Sequence, residues 1–384
     1  MWIALETRGF QHCGLQTSSK KRFWHGYCSE SKPLLVQNKL FILGGYDWTE
    51  NSGVVVLNPD DGKEMARFGR TSSSTEEMTH DKDSIYFTTE QREGYKPFHP
   101  LNRLYSIDAF SLKTRWTIDY AFTPVTTKDL VIASMPDPVV TDGQPSEIVG
   151  STKLDIVAFH KADGHEVWRI HNEGWWDNNK PIIANNHLLY LHDGLVEIDT
   201  EAGRLVKLSD LSFLSRNCRI LKRFLIGDKR LLLHQACKNE SSIYVVDISN
   251  GEEVWRRGPS FGIDLEIGIV EDKLLIGAGL GWGTTFDTLD LASGESTSKF
   301  SLNWHFWGNQ LGGDQLLHQN EIIMAHNDYL LGLDPFTGKI VRQYLTGEIT
   351  APPLVIGDKV YVNSEDCNVY GLRLEPPTSG VVQK

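Results

Sequence analysis

The chain has 384 residues, 40 % hydrophobic and 23 % charged, with a formal net charge of -12 and a pI near 5.5. This composition is that of a folded globular protein, not a disordered one. The acidic balance excludes general binding to the nucleic-acid backbone, which needs Lys and Arg to displace condensed counterions, and it suits a basic protein partner better.

In chain order, the opening MWIALETRGFQHCGLQ has a short apolar start with no basic residue before it. No later stretch reaches the roughly 20 apolar residues that span a bilayer. Neither an export signal nor membrane contact is expected, and the expected address is cytoplasmic. Cys13, Cys28, Cys218, Cys237 and Cys367 are widely spread without a Cys-x-x-Cys pair. They read as free thiols in a reducing compartment, with no zinc site.

From residue 39 onward one phrase recurs: alternating apolar residues, then Asp or a stand-in, three more residues, and usually Gly. Its marker position falls at Asn58, Asp108, His160, Asp199, Asp247, Asp290 and Asp334, in steps of 50, 52, 39, 48, 43 and 44 residues. Gly follows four places on at Gly62, Gly164, Gly203, Gly251, Gly294 and Gly338; the second copy has Leu112 instead. Upstream of each marker lie two strand-like runs, such as KLFILGG with VVVLN, SIYFTT with RLYSID, and LVIASM with LDIVAFH. The marker segment reads as a tight turn, in which Asp accepts from backbone amides and Gly takes positive φ. A fourth strand follows, ending in Trp116, Trp168 or Trp255 in three copies, where a large indole suits a wedge between neighbouring sheets.

A strand-built period near 46 residues predicts an all-β, single-domain β-propeller of four-stranded antiparallel blades spanning 1–384. Each pair of blades packs its own core, so the fold escapes the limit of roughly 250–300 residues on a single core. The last blade, KVYVNS with VYGLRL, lacks an outer strand before the tail at 375–384, which is expected to be flexible. Residues 1–30 are expected to close the ring, with the Trp24 segment KKRFWHG as donor and WIALE at 2–6 as competitor. Eight blades result, or seven if the C-terminal strands only cap the ring. Leu211, Leu214, Cys218, Leu221 and Leu225 recur at helical spacing and predict one helical excursion between the fourth and fifth blades.

The repeat resembles the pyrroloquinoline-quinone-like propeller family, whose blades end in an Asp-x-x-Thr-Gly turn followed by a Trp-bearing strand; Asp334, Thr337 and Gly338 match it best. LFILGGYDW also looks like a kelch blade, but the double Gly is not repeated in that setting. The resemblance implies either a quinone-dependent oxidoreductase, with calcium and an adjacent Cys-Cys disulfide at the axis, or a non-catalytic scaffold like the outer-membrane assembly lipoproteins. No two cysteines are neighbours here, so the scaffold branch is expected, without cofactor or metal. His80, Asp81 and Asp83 read as a solvated polar turn.

Function is expected on one face. Marker turns are short and uniform, whereas the opposite connections are long: 46–53, 90–102, 136–153, 171–179, 258–264 and 302–313. They carry Trp48, Tyr95, Phe98, Glu173, Trp175, Trp176, Asp177, Phe261, Trp282, Trp304, Phe306 and Trp307. Aromatic anchors interspersed with acids suit a protein interface. No His-Glu-x-x-His helix, Gly-x-Ser-x-Gly elbow or phosphate loop occurs, and His192, Asp193, Gly194 and His326, Asn327, Asp328 read as inter-strand turns. The expected function is a non-enzymatic binding propeller, monomeric outside its complex, with a toxin-neutralising immunity protein as its sharpest form. An enzyme with an axial site is the alternative.

Overall fold

In the computed structural model the described residues are 3–4, 32–43, 53–69, 78–91, 101–136, 154–171, 181–191, 194–215, 218–238, 240–261, 265–270, 272–279, 284–302, 317–318, 321–326, 329–334, 336–345, 349, 351, 353–363 and 369–374. They form eight separate four-stranded antiparallel sheets. Blades 1 to 7 span 34–68, 79–119, 122–170, 182–209, 219–261, 265–302 and 317–345, each a meander of consecutive strands. We name these strands A to D in chain order.

Blade 8 takes three strands from 354–373 and its fourth from Ile3–Ala4, which pairs with Val369–Arg373 in the register Ile3↔Arg373 and Ala4↔Leu372. WIALE, not the Trp24 segment, therefore provides the closing strand, and Trp24 lies outside the described residues. Two contacts brace this seam from the blade 1 side. Lys359 Nζ pairs with Asp60 at 2.9 Å, and the Tyr361 hydroxyl donates to the Pro59 carbonyl at 3.3 Å.

Strands B and C are covered by neighbours on both faces, so they read as nearly unbroken apolar runs: Val54–Leu57 and Leu154–His160 are buried almost throughout. Outer strands such as Glu64–Phe68 and Glu166–Ile170 are exposed at the start and half-buried after. The core is divided accordingly into eight clusters, each shared by two adjacent blades. Blades 1 and 2 join through Phe41, Val56, Ile85 and Phe87, and blades 8 and 1 through Tyr361, Leu40 and Leu57. Each such side chain contributes roughly 1.5–3 kcal/mol when fully buried.

The marker turns are built alike. The amide of the fourth residue donates back to the marker carbonyl, from Gly62, Leu112, Gly164, Gly203, Gly251, Gly294 and Gly338, at 2.8–2.9 Å. Their φ values are positive, Leu112 included at 57°, so the second copy keeps the backbone that its sequence departs from. Asp108, Asp199, Asp290 and Asp334 each accept at Oδ1 from the amides two and three places on. These bonds to the ionised form hold the carboxyls low. Asp290, paired with Lys273 at 3.0 Å and bonded to the Ser293 amide, is lowered to about 2.

Glycine is required here for a second reason: the preceding blade lies directly against it. A Cβ on Gly164, Gly203 or Gly294 would come within 2.7, 2.4 and 2.7 Å of Trp116, Trp168 and Trp255. The same indoles donate from Nε1 to the carbonyls of Lys161, Thr200 and Leu291 at 2.9, 2.9 and 3.0 Å. The wedge expected from sequence is thus a clamp of packing plus one hydrogen bond.

The structure corrects two further expectations. No helix occurs among the described residues; residues 211–215 make a turn closed by Leu214 N to Leu211 O at 2.8 Å, and Arg219–Ile226 is a strand. A bulge between Ile220 and Lys222 shifts the alternation by one residue, so that Ile220 and Leu225 both face the cluster between blades 4 and 5 while Leu221 is exposed. Nor are all cysteines free thiols: Cys218 and Cys237 form a disulfide across the loop-face end of strands A and B of blade 5.

Two outcomes follow. Gly203→Ala and Gly227→Ala both place a side chain at positive φ, which costs about 1–2 kcal/mol, but nothing lies within 4 Å of Gly227. In urea unfolding, Gly203→Ala should therefore be the more damaging by a further ~1–3 kcal/mol from overpacking against Trp168; equal losses would refute the clamp. Because Asp290 is held below the ordinary Asp value of about 3.9, its stabilisation is complete above that pH and is lost as pH falls toward about 2. Asp290→Asn retains the turn acceptor without the charge, so its thermal midpoint should decline less steeply than that of the parent chain between those limits.

Candidate functional site

All blades point the same way around the ring. Within a blade, the residue after the marker donates to the carbonyl in the A–B turn, as Ala109 does to Asp83 at 2.8 Å and Ile248 to Lys229 at 2.9 Å. Between blades, Gln37 donates to the Lys82 carbonyl at 2.7 Å and Asn185 to that of Asp228 at 2.9 Å, joining A–B turn to A–B turn. A–B and C–D turns therefore share one face. The strand ends flanking every B–C connection and every blade crossing open on the other.

The turn face is chemically committed. Its carboxylates cap amides or pair with cations: Asp81 accepts from the amides of Asp83 and Ser84 and pairs with Lys161 at 2.8 Å, so the His80–Asp83 turn is fixed structure. On the loop face the connections differ in length by blade. Short links close blade 5 between Cys237 and Glu240 and blade 7 between His326 and Tyr329. Long connections, 44–53, 92–100 and 137–153, belong to blades 1, 2 and 3, which are contiguous.

Trp48, Tyr95, Phe98, Glu173, Trp175, Trp176, Asp177, Trp282, Trp304, Phe306 and Trp307 lie outside the described residues. Only the Phe261 backbone is described: it ends the strand Glu253–Phe261 opposite Glu240, so residues 258–261 are strand and not crossing. By chain position Trp48 to Asp177 are bracketed by strands of blades 1 to 4, and Trp282 to Trp307 by strands of blades 6 and 7. His192, Asp193, Asn327 and Asp328 likewise lie outside the described residues.

Residues that sequence reasoning passed over flank the loop end of blade 3. Asp155 is fully buried, binds Arg169 at 2.9 Å and lies 3.2 Å from His171 Nδ1. Arg169 also binds Glu166 at 2.7 Å, and this network fixes the strand from which the 172–180 connection departs. A second buried pair, Glu321 with Arg342 at 2.8 Å, stabilises blade 7. His234 is buried in blade 5 and held neutral by desolvation, its pKa pushed down to about 4. The two buried pairs were not legible as patterns, because Asp155 meets Arg169 and Glu321 meets Arg342 across strands.

Among the described residues, one group combines donors of metal-ligating type: His160, Asp163 and His165 in the blade 3 marker turn. The adjacent-cysteine disulfide of the quinone-dependent propeller enzymes has no counterpart in the sequence, and the Cys218–Cys237 bond joins residues 19 apart on the rim of one blade.

No family model matches the sequence, and no curated protein matches it. Solved structures do. BamB from Moraxella catarrhalis is 14 % identical with a TM-score of 0.59, covering 92 % of this chain and 99 % of that one. The computationally designed Ika8 protein is 11 % identical with a TM-score of 0.63, covering 89 % and 95 %. The Dos1 propeller is 8 % identical with a TM-score of 0.57, covering 91 % and 94 %. At these identities the likeness is one of fold, and the presence of a designed protein separates that fold from any single task. The chain is an eight-bladed β-propeller with a structurally committed turn face and a loop face of unequal connections.

Proposed function

We propose that this chain is a protein-binding propeller that engages its partner through the loop face. The observation that carries the reading is the asymmetry of the two faces: the marker aspartates of the turn face are consumed in caps, whereas the long, aromatic and acidic connections leave from strand ends on the other face. Aromatic side chains give large contact area at low entropic cost, and they dominate interface energetics. Glu173 and Asp177 beside Trp175 and Trp176, within a chain of net charge -12, favour a basic partner. The rigid Asp155–Arg169–Glu166 network at the base of that connection limits the entropy lost on binding.

Within this reading the chain acts by occupancy, without chemistry of its own, and a stoichiometric inhibitor such as a toxin-neutralising immunity protein is the sharpest form. Trp175→Ala with Trp176→Ala should abolish capture of the partner from native lysate, while an exposed turn-face change, Phe110→Ala, should not. Both variants should keep the parent melting temperature; retained capture by the Trp variant would overturn the loop-face assignment. Co-expression with a toxin encoded next to it should restore growth, and failure to do so would remove the immunity reading while leaving the interface untouched.

A further inference from the structure

Blade 3 breaks the rule that the other marker turns obey. Asp108, Asp199, Asp290 and Asp334 each cap two amides, and Asn58 in blade 1 caps that of Asp60. His160 occupies the same place, and its Nδ1, sealed from solvent, makes no hydrogen bond. The turn backbone is nevertheless the usual one, with Gly164 N to His160 O and His160 N to His165 O both at 2.9 Å. The second of these bonds sets the two histidines opposite each other, and their rings stack with centroids 5.1 Å apart.

Asp163 stands between them. Its Oδ1 is 2.6 Å from His165 Nδ1 and 3.5 Å from His160 Nδ1. One ligand atom from each of the three residues lies within 4.8 Å of the others. Tetrahedral zinc, with bonds of roughly 2.0–2.2 Å, needs donors about 3.4 Å apart. The His160–Asp163 separation already meets that spacing, and the His165–Asp163 contact opens to it by a side-chain rotation of under about 1 Å. The neighbouring cation does not compete: Lys161 Nζ is turned to Asp81 at 2.8 Å, on blade 2.

We propose that His160, Asp163 and His165 form a surface site for a divalent transition-metal ion of the zinc class. Two imidazoles and one carboxylate select Zn2+, Ni2+ or Cu2+ over Ca2+ and Mg2+, which take oxygen ligands. Three protein ligands leave a coordination position free, and the exposure of Asp163 and His165 turns that position to solvent, where water or a donor from a second molecule completes it. The site is on the turn face, opposite the proposed protein interface, so the two stand or fall separately.

The test is calorimetric titration of the full, tag-free chain with ZnCl2, alongside His160→Asn and His165→Gln. His160→Asn removes the imidazole and restores the acceptor that Asn58 supplies in blade 1, so the turn is preserved. The expected result is one equivalent of Zn2+ bound by the parent chain, and affinity lowered about tenfold or more in each variant, with metal-free melting temperatures that do not fall. Absence of binding, or binding that survives both substitutions unchanged, would overturn the proposal. CaCl2 in place of ZnCl2 is expected to give no site sensitive to either substitution.

Discussion

The architecture depends on one close approach: an aromatic ring of one blade's outer strand resting on a residue of the next blade that has no side chain. Where that approach is made by Trp116, Trp168 or Trp255, the glycine of the next blade must be bare and must have positive φ. Phe300 makes the same demand of Gly338. Because the glycine sits four residues beyond the marker, its turn fixes where the next sheet stands relative to the last. The eight divided cores are consequences of this docking, since each apolar run of strands B and C is covered only when the neighbour arrives.

The same docking sorts the surface. Turns that carry a neighbour's weight keep their short Asp-and-Gly form, so variation is pushed to the B–C links and blade crossings. Their strand ends lie on the other face, and the longest B–C links are on adjacent blades 1, 2 and 3. A ring with one constrained and one unconstrained face supplies a rigid platform on which loops vary without disturbing the fold.

Much of this was legible in the sequence because the informative contacts repeat. Marker, glycine and Trp recur at fixed offsets, and a repeated offset survives any single exception such as Leu112, whose backbone takes the glycine conformation regardless. What failed to be legible is what does not repeat. The bulge at Ile220 shifts alternation once, so this strand lacks the unbroken period of two that would have announced it. The closing strand is only two residues long, so WIALE and the Trp24 segment were indistinguishable by pattern. Cys218 and Cys237 meet across a hairpin whose register no spacing rule announces, and their bond removes the thiol-based argument for a reducing compartment. The pairing of His160 with His165 was written as HKADGH, yet it acquires meaning only once the turn places both rings side by side. The loop-face aromatics remain readings from sequence, since only the Phe261 backbone is among the described residues.

The seam in blade 8 has a consequence for biosynthesis. Ile3 pairs with Arg373, so this strand leaves the ribosome long before its neighbour does. At about 5–20 residues per second, roughly 20–70 s of translation separate the two. Throughout that interval blades accumulate as an open arc with an unfilled place at one end and a sticky edge at the other, each a template for intermolecular pairing. Annealing then joins segments ~370 residues apart in the sequence, across the arc of blades already formed. Nascent-chain chaperones and crowding should therefore act on this protein chiefly at the moment the circle is sealed.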